Sequence, residues 1–197
     1  MKYVSKNINK REKLNFLLLT LFSLQLGINL MAQDGTENSM INEMNRLKLA
    51  HAVELKAKNQ AISSCNYGDI NMCFLVGNGY QKGYSSINNI GISFEYDDFK
   101  AVQFLSKACN GGSVKGCTAL GTMYDEGKGT TQNKDKAAQL FTKACNANEA
   151  SACNNLGVMY QNGYGMWGNK SKAKELYSKA CQLHSQAGCT NYANLNK

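Results

Sequence analysis

The sequence predicts an all-α fold, an αα-repeat solenoid of about 36-residue units with a disulfide at every helix junction. Three observations predict it. The eight cysteines fall as Cys65/Cys73, Cys109/Cys117, Cys145/Cys153 and Cys181/Cys189, each a C-x7-C, and the last three pairs recur every 36 residues. No proline occurs among the 197 residues, so the strongest helix breaker is missing. Most of the 18 glycines recur at fixed distances from the cysteines, as expected for one supersecondary unit repeated along the chain.

The first element is a targeting segment. Lys2, Lys6, Lys10, Arg11 and Lys13 precede the apolar stretch L-N-F-L-L-L-T-L-F-S-L-Q-L-G-I-N-L-M-A, which ends in the small residue Ala32. A basic region, an apolar region and a small residue are the three parts of a secretory signal peptide, so residues 1–32 are read as one, cleaved after Ala32. The alternative is an uncleaved anchor, but Asn15, Thr20, Ser23, Gln25 and Asn29 make a poor membrane span. No cysteine lies beside the cleavage site, and no other long apolar run exists. The mature chain is therefore expected to be soluble, without a membrane span. Cleavage also removes five basic residues and one acidic, taking the net charge from +8 to +4. That balance gives little support to nucleic acid as a partner. Residues 33–197 have the length of one domain, and 33–39 are expected to be disordered.

Residues 40–65 read as a polar-rich helical cap that fills the place of a first helix B. Repeats then follow at about 66–110, 111–146 and 147–182, with a half-repeat at 183–197. Helix A of each repeat carries Val76/Leu120/Leu156, Gly77/Gly121/Gly157 and Tyr80/Tyr124/Tyr160, then Gly83/Gly127/Gly163. Apolar residues three and four apart share one helix face. A glycine inside a helix costs stability against alanine, so three aligned copies imply close approach of a neighbouring helix. The second glycine suits a helix end. Helix B carries Ala101/Ala137/Ala173, Phe104/Leu140/Leu176, Leu105/Phe141/Tyr177 and Ala108/Ala144/Ala180, an amphipathic pattern with its lysines on the wet side. Asp135 and Ser171 are reasonable first residues for it.

Between paired cysteines runs a short turn, such as N-G-G-S-V-K-G after Cys109. It places the two cysteines across an αα-hairpin, at a separation a disulfide spans. The alternative is metal ligation, but zinc sites favour C-x2–4-C and a reducing compartment. Identical x7 spacings in an exported chain favour disulfides.

These residues resemble the Sel-one-like repeat, an αα-repeat related to the tetratricopeptide repeat. The L-G-x-x-Y-x-x-G-x-G part of its A-x-x-x-L-G-x-x-Y-x-x-G-x-G pattern, followed by a K-A-rich helix, is present at 117–145 and 153–181. The added C-x7-C narrows the resemblance to the secreted Helicobacter cysteine-rich protein family, over about residues 50–197. Two departures are Thr130 and Met166 where valine is usual after G-x-G, and eight extra residues in the first unit. The resemblance implies a right-handed solenoid with a concave face, and export from a Gram-negative bacterium to the periplasm or beyond. It also implies a peptide or protein ligand in the groove, with a host protein as one source. Some family members are assigned as penicillin-binding proteins or β-lactamases, which would make a β-lactam or peptidoglycan-related ligand the alternative and antibiotic resistance the context.

The residues themselves offer little enzyme chemistry. S-K-A-K, Ser171 to Lys174, meets the S-x-x-K pattern of serine β-lactamases, but no K-T-G, K-S-G or S-D-N accompanies it. Helix N-capping is the simpler role for Ser171. His51 and His184 are the only histidines, too few for a metallo-β-lactamase cluster, and no cofactor is implied. For binding, helix A usually lines the concave face, and the position before L-G holds Leu75, Ala119, Asn155 and Asn191. Related repeats hold a peptide backbone with asparagine there, so Asn155 and Asn191 are the candidates, against a reading as solvated polar residues. Tyr80, Tyr124 and Tyr160 fit an interhelix core better than a binding stripe. The insertion at 84–97 is read as a loop exposing Ile87, Ile90, Ile92, Phe94 and Tyr96, with Ile90 and Phe94 as candidate contacts. The alternative is a lid packed over the first hairpin.

Overall fold

The computed structural model describes residues 37–87, 89–164 and 167–195. The expected signal peptide at 1–32, residues 33–36 and Met166 lie outside the described residues. The chain divides into two compact units, one ending at Ala52 and one starting at Val53. Helix α1 (Glu37–Asn66) runs through this division. It covers part of the stretch expected to be disordered, where nothing between Glu37 and Ser39 breaks a helix. In the first unit, residues such as Leu47 and Leu49 stand exposed on α1.

The second unit is a run of helix pairs. Among the described residues it holds α2 (Ile70–Lys82), α3 (Asp98–Asn110), α4 (Val114–Glu126), α5 (Lys134–Asn146), α6 (Ala150–Asn162), α7 (Lys170–Gln182) and α8 (Gln186–Asn194). Helices α2 to α7 are each 13 residues long, so the sequence period persists in three dimensions as helix A (α2, α4, α6, α8) alternating with helix B (α3, α5, α7).

The cysteines pair as Cys65–Cys73, Cys109–Cys117, Cys145–Cys153 and Cys181–Cys189, all disulfides, with Cα–Cα distances of 4.5–4.6 Å. Each ties the end of a helix B, or of α1, to the following helix A. Cys73 on α2 and Cys117 on α4 are 3% and 1% exposed. They are therefore structural members of the core, closed to any ligand, and not parts of a binding surface. The Cys73 and Cys117 sulfurs lie 3.4 and 3.6 Å from the carbonyl oxygens of Cys65 and Cys109. A disulfide sulfur has no proton to donate, so these are packing contacts across the turn.

The same local chemistry recurs at each junction. Three residues after the first cysteine of each pair the backbone turns to positive φ, at Gly68, Gly112, Asn148 and His184. The next residue is the N-cap of helix A, and Asp69, Ser113 and Ser185 accept an N–H with their side chains. At the other end, Gly83, Gly127 and Gly163 close helix A in the left-handed conformation. The loop then returns to helix B through one repeated bond, in which Asp97, Asn133 and Asn169 donate their N–H to the carbonyls of Tyr80, Tyr124 and Tyr160 (3.1, 2.8 and 2.8 Å). These donors are also the N-caps of helix B. The caps are thus Asn133 and Asn169, two residues before the expected Asp135 and Ser171, because extended backbone at the asparagine leaves its side-chain oxygen free to reach the third N–H onward.

The aligned helix A glycines mark close interhelix approach. A Cβ on Gly77, Gly121 or Gly157 would lie 2.7–2.8 Å from Leu105, Phe141 or Tyr177 of the next helix B. These three side chains are buried and use the space a Cβ would take. Burial pushes the Tyr177 phenol above its usual pKa, and its hydroxyl donates to Gln161 Oε1 at 2.8 Å. Tyr80 is buried, while Tyr124 and Tyr160 are half-buried against the same core.

The insertion departs from expectation. It forms an antiparallel hairpin of β1 (Tyr84–Ile87) and β2 (Ile90–Ser93), with Ser85 opposite Ile92 and Asn89 at positive φ in the turn. Ile87, Ile92 and Phe94 are buried, not exposed; the side chain of Ile90 lies outside the described set. Phe94 fills the hollow over Gly79, where a Cβ would meet its ring at 2.5 Å, and packs edge-on to Tyr80 at 5.0 Å. Lys58 covers the Phe94 ring at 4.7 Å, and Glu54 accepts the N–H of Ser93. The hairpin therefore packs as a cover on the first repeat. Of its described apolar residues, Tyr84 and Tyr96 are the exposed ones.

Candidate functional site

Two pairs of A helices approach directly, α2 with α4 and α6 with α8. Side chains three and four apart on such helices point to one face. On α4 that row is Thr122, Asp125 and Glu126; on α6 it is Asn155, Val158 and Met159. Together with Phe141 and Tyr164 they line a cavity of about 220 Å³. Its floor is apolar, since Phe141 and Met159 are buried, and its rim is polar.

Charge in this cavity is organised. Asp125 Oδ1 accepts from Lys134 Nζ at 2.7 Å, and the same ammonium lies 4.9 Å from the Tyr164 ring centre. Gln132 Nε2 donates to the Asp125 carbonyl at 2.8 Å, holding the loop against the end of α4. Glu126 pairs with Lys128 at 2.7 Å and raises that lysine above its usual pKa. Among the described residues, the Asn155 amide has no hydrogen-bond partner.

The candidate residues therefore fare differently. Asn155 sits in the cavity, half-buried. Asn191 does not stand open on α8, because its amide donates to Asn154 Oδ1 at 2.9 Å and ties α8 to α6. Phe94 is packed inside, as described above, and is no surface contact. Ser171 and Lys174 line a second, shallow cavity of about 580 Å³ with Glu175, Ser178 and Tyr192. There the Lys174 ammonium lies 5.8 Å from the Tyr192 ring centre. Neither cavity is lined by a cysteine, Cys73 and Cys117 included.

Two features escape the repeat pattern. Asp125 occupies the position that holds Gln81 and Gln161 in the other units, so aligning repeats hides the one acidic copy. The lysine of K-A-C is the second. Far from being merely solvated, Lys143 Nζ donates to the Cys109 carbonyl (3.1 Å) and Lys179 Nζ to the Cys145 carbonyl (2.9 Å), one repeat back. Lys107 reaches Asn66 Oδ1 at 2.8 Å. The Cys109 and Cys145 carbonyls lie at the negative end of a helix, and each also accepts a backbone N–H, from Gly112 and Asn148. Lys143→Met is expected to lower stability by about 1 kcal/mol while keeping the apolar stem. Denaturant titration followed by circular dichroism checks this, and an unchanged midpoint would refute the clamp.

Stacked helix pairs, each closed by a helix A glycine against a buried helix B side chain, define an αα-repeat protein. The sequence profile of the Sel1 repeat matches residues 63–113, 114–149 and 150–185, and the chain belongs to the Sel1 repeat family. It is similar to cysteine rich protein B of Helicobacter pylori, at 32% identity over 70% of this chain and 92% of that one, with a TM-score of 0.51. A Sel1 repeat protein from Oxalobacter formigenes shares the fold, at 24% identity over 68% of this chain and 96% of that one, with a TM-score of 0.57. No curated protein sequence matches significantly.

Proposed function

We propose that the chain is an exported interaction module that holds a peptide or protein segment on its A-helix face. One observation carries the reading: the cavity between α4 and α6 combines an apolar floor with the uncommitted Asn155 amide. An amide offers both a donor and an acceptor, and so matches the N–H and C=O of an extended backbone. The other three A helices present Leu75, Ala119 and the tied Asn191 at this position, which makes Asn155 the principal contact. Four disulfides support export, since such bonds persist outside a reducing cytosol. No described helix is long and apolar enough to cross a membrane.

The test is peptide binding by the oxidised chain. Asn155→Ala is expected to weaken a saturable interaction roughly three- to tenfold, the value of one or two hydrogen bonds. Isothermal titration with peptides selected from a randomised library reads this directly, and unchanged affinity would remove Asn155 from the site. The β-lactamase alternative rests on the family resemblance; a serine mechanism would have to use Ser171, which shares a shallow cavity with Lys174. It requires covalent labelling by a β-lactam that is lost in Ser171→Ala.

A further inference from the structure

We propose that the cavity between α4 and α6 recognises a basic side chain, arginine or lysine, of the segment bound on this face. This rests on the reading of the A-helix face as a binding surface and adds the chemistry of the partner. Among the described residues, the charged side chains lining the cavity are Asp125 and Glu126, both acidic. Beneath them the floor is formed by buried Phe141 and Met159, which excludes water and strengthens any charge interaction above it. The volume of about 220 Å³ suits one large side chain, not a whole ligand.

The protein itself shows what the site accepts. Lys134 reaches in from the start of α5 and places its ammonium 2.7 Å from Asp125 Oδ1 and 4.9 Å from the Tyr164 ring. Those are the distances of a charge-assisted hydrogen bond and of a cation over an aromatic face. Lys134 is thus an internal occupant of a cation site made by Asp125 and Tyr164. Its ion pair is about one-third exposed on both partners, and such pairs contribute little stability. Glu126 pairs with Lys128, and that pair is still more exposed. A ligand cation can therefore displace both lysines at small cost. An arginine fits best, because its planar fork can meet a carboxylate while its face stacks on Tyr164.

The test selects dodecapeptides from a randomised display library on the oxidised chain, then synthesises the strongest binder and its citrulline-for-arginine (or glutamine-for-lysine) analogue. The expected result is a shared basic position whose neutral analogue binds at least tenfold more weakly. With Asp125→Asn/Glu126→Gln, that difference should shrink to less than twofold. Lys134→Met, which removes the internal occupant, should tighten the basic peptide several-fold and leave the neutral analogue unchanged. Selected peptides that bind equally well when neutral, or selection of acidic or purely apolar anchors, would overturn the basic-anchor proposal and leave the A-helix face as a binding surface. Failure to enrich any peptide would overturn both.

Discussion

Replacing Cys145 and Cys153 together with alanine is expected to lower the stability of the oxidised chain by about 2.5 kcal/mol, the chain-entropy value for a nine-residue ring. For a chain of this size that corresponds to a fall in Tm of roughly 5–10 °C. Both residues are changed because a single replacement would leave a free thiol. The effect is large because a repeat array has few long-range contacts: α5 and α6 meet mainly each other and their immediate neighbours. The disulfide spans the turn around Asn148, a non-glycine residue at positive φ, and holds that turn closed. Thermal denaturation of the double variant against wild type checks the size, and an unchanged Tm would refute the staple as a stabilising element. Access adds an order of events. Cys181 and Cys189 are each partly exposed, whereas Cys65, Cys73, Cys109, Cys117, Cys145 and Cys153 are buried. Under limiting reductant, mass spectrometry after alkylation should therefore show the Cys181–Cys189 pair opening first.

Gly157→Ala should destabilise the chain by about 2 kcal/mol, the middle of the overpacking range, against the ordinary preference of helices for alanine. In an exposed helix interior the same change would stabilise by roughly 0.5–1 kcal/mol. Here the new Cβ would stand 2.7 Å from the Tyr177 ring, and Tyr177 has no freedom to yield. It is 1% exposed and its hydroxyl is engaged by Gln161. Overpacking of this kind costs about 1–3 kcal/mol. The sign is what discriminates: a more stable Gly157→Ala variant in denaturant titration would show that α6 and α7 can separate freely. Pairing it with Tyr177→Leu gives a double-mutant cycle, and a coupling near zero would sink the argument as well.

The repeat architecture was legible because its causes are local and repeated. A C-x7-C returns at each junction, an internal glycine returns at each A–B contact, and Ala, Leu and aromatic residues return at helical spacing on each helix B. Repetition turns a weak propensity at one site into a signal at three. The helix B caps were missed by two residues for the same reason in reverse: Asp135 and Ser171 are good capping types, yet Asn133 and Asn169 reach extended backbone first. The hairpin was not read from the sequence, which gave a loop there, although Ile90, Ile92 and Phe94 alternate as strand residues do. Which way its apolar face turned was not legible either, because that depended on the hollow above Gly79 and on Lys58 and Glu54, residues distant in sequence.

The candidate site follows the same division. Asn155 could be singled out by position, and it does face a cavity. Asn191 occupied the equivalent position, but Asn154 lies across from it and takes its amide. The charged cluster of Asp125, Lys134 and Tyr164 joins two repeats around the one acidic copy, Asp125, so comparison between repeats hid it. Nor could periodicity show that Lys107, Lys143 and Lys179 reach back one unit, since sequence spacing places them on the solvent side of their own helix.

By itself the sequence determined the helical repeat, its period, the pairing of the cysteines and the close helix contacts at Gly77, Gly121 and Gly157. These follow from steric and chain-connectivity rules that act within a few residues or recur with the period. Only the tertiary structure decided which polar groups are spent in holding the repeats together and which are not. That choice depends on distances between side chains far apart in the chain: Asn191 lies within 2.9 Å of Asn154 and is used, while Asn155 faces the open cavity and is not.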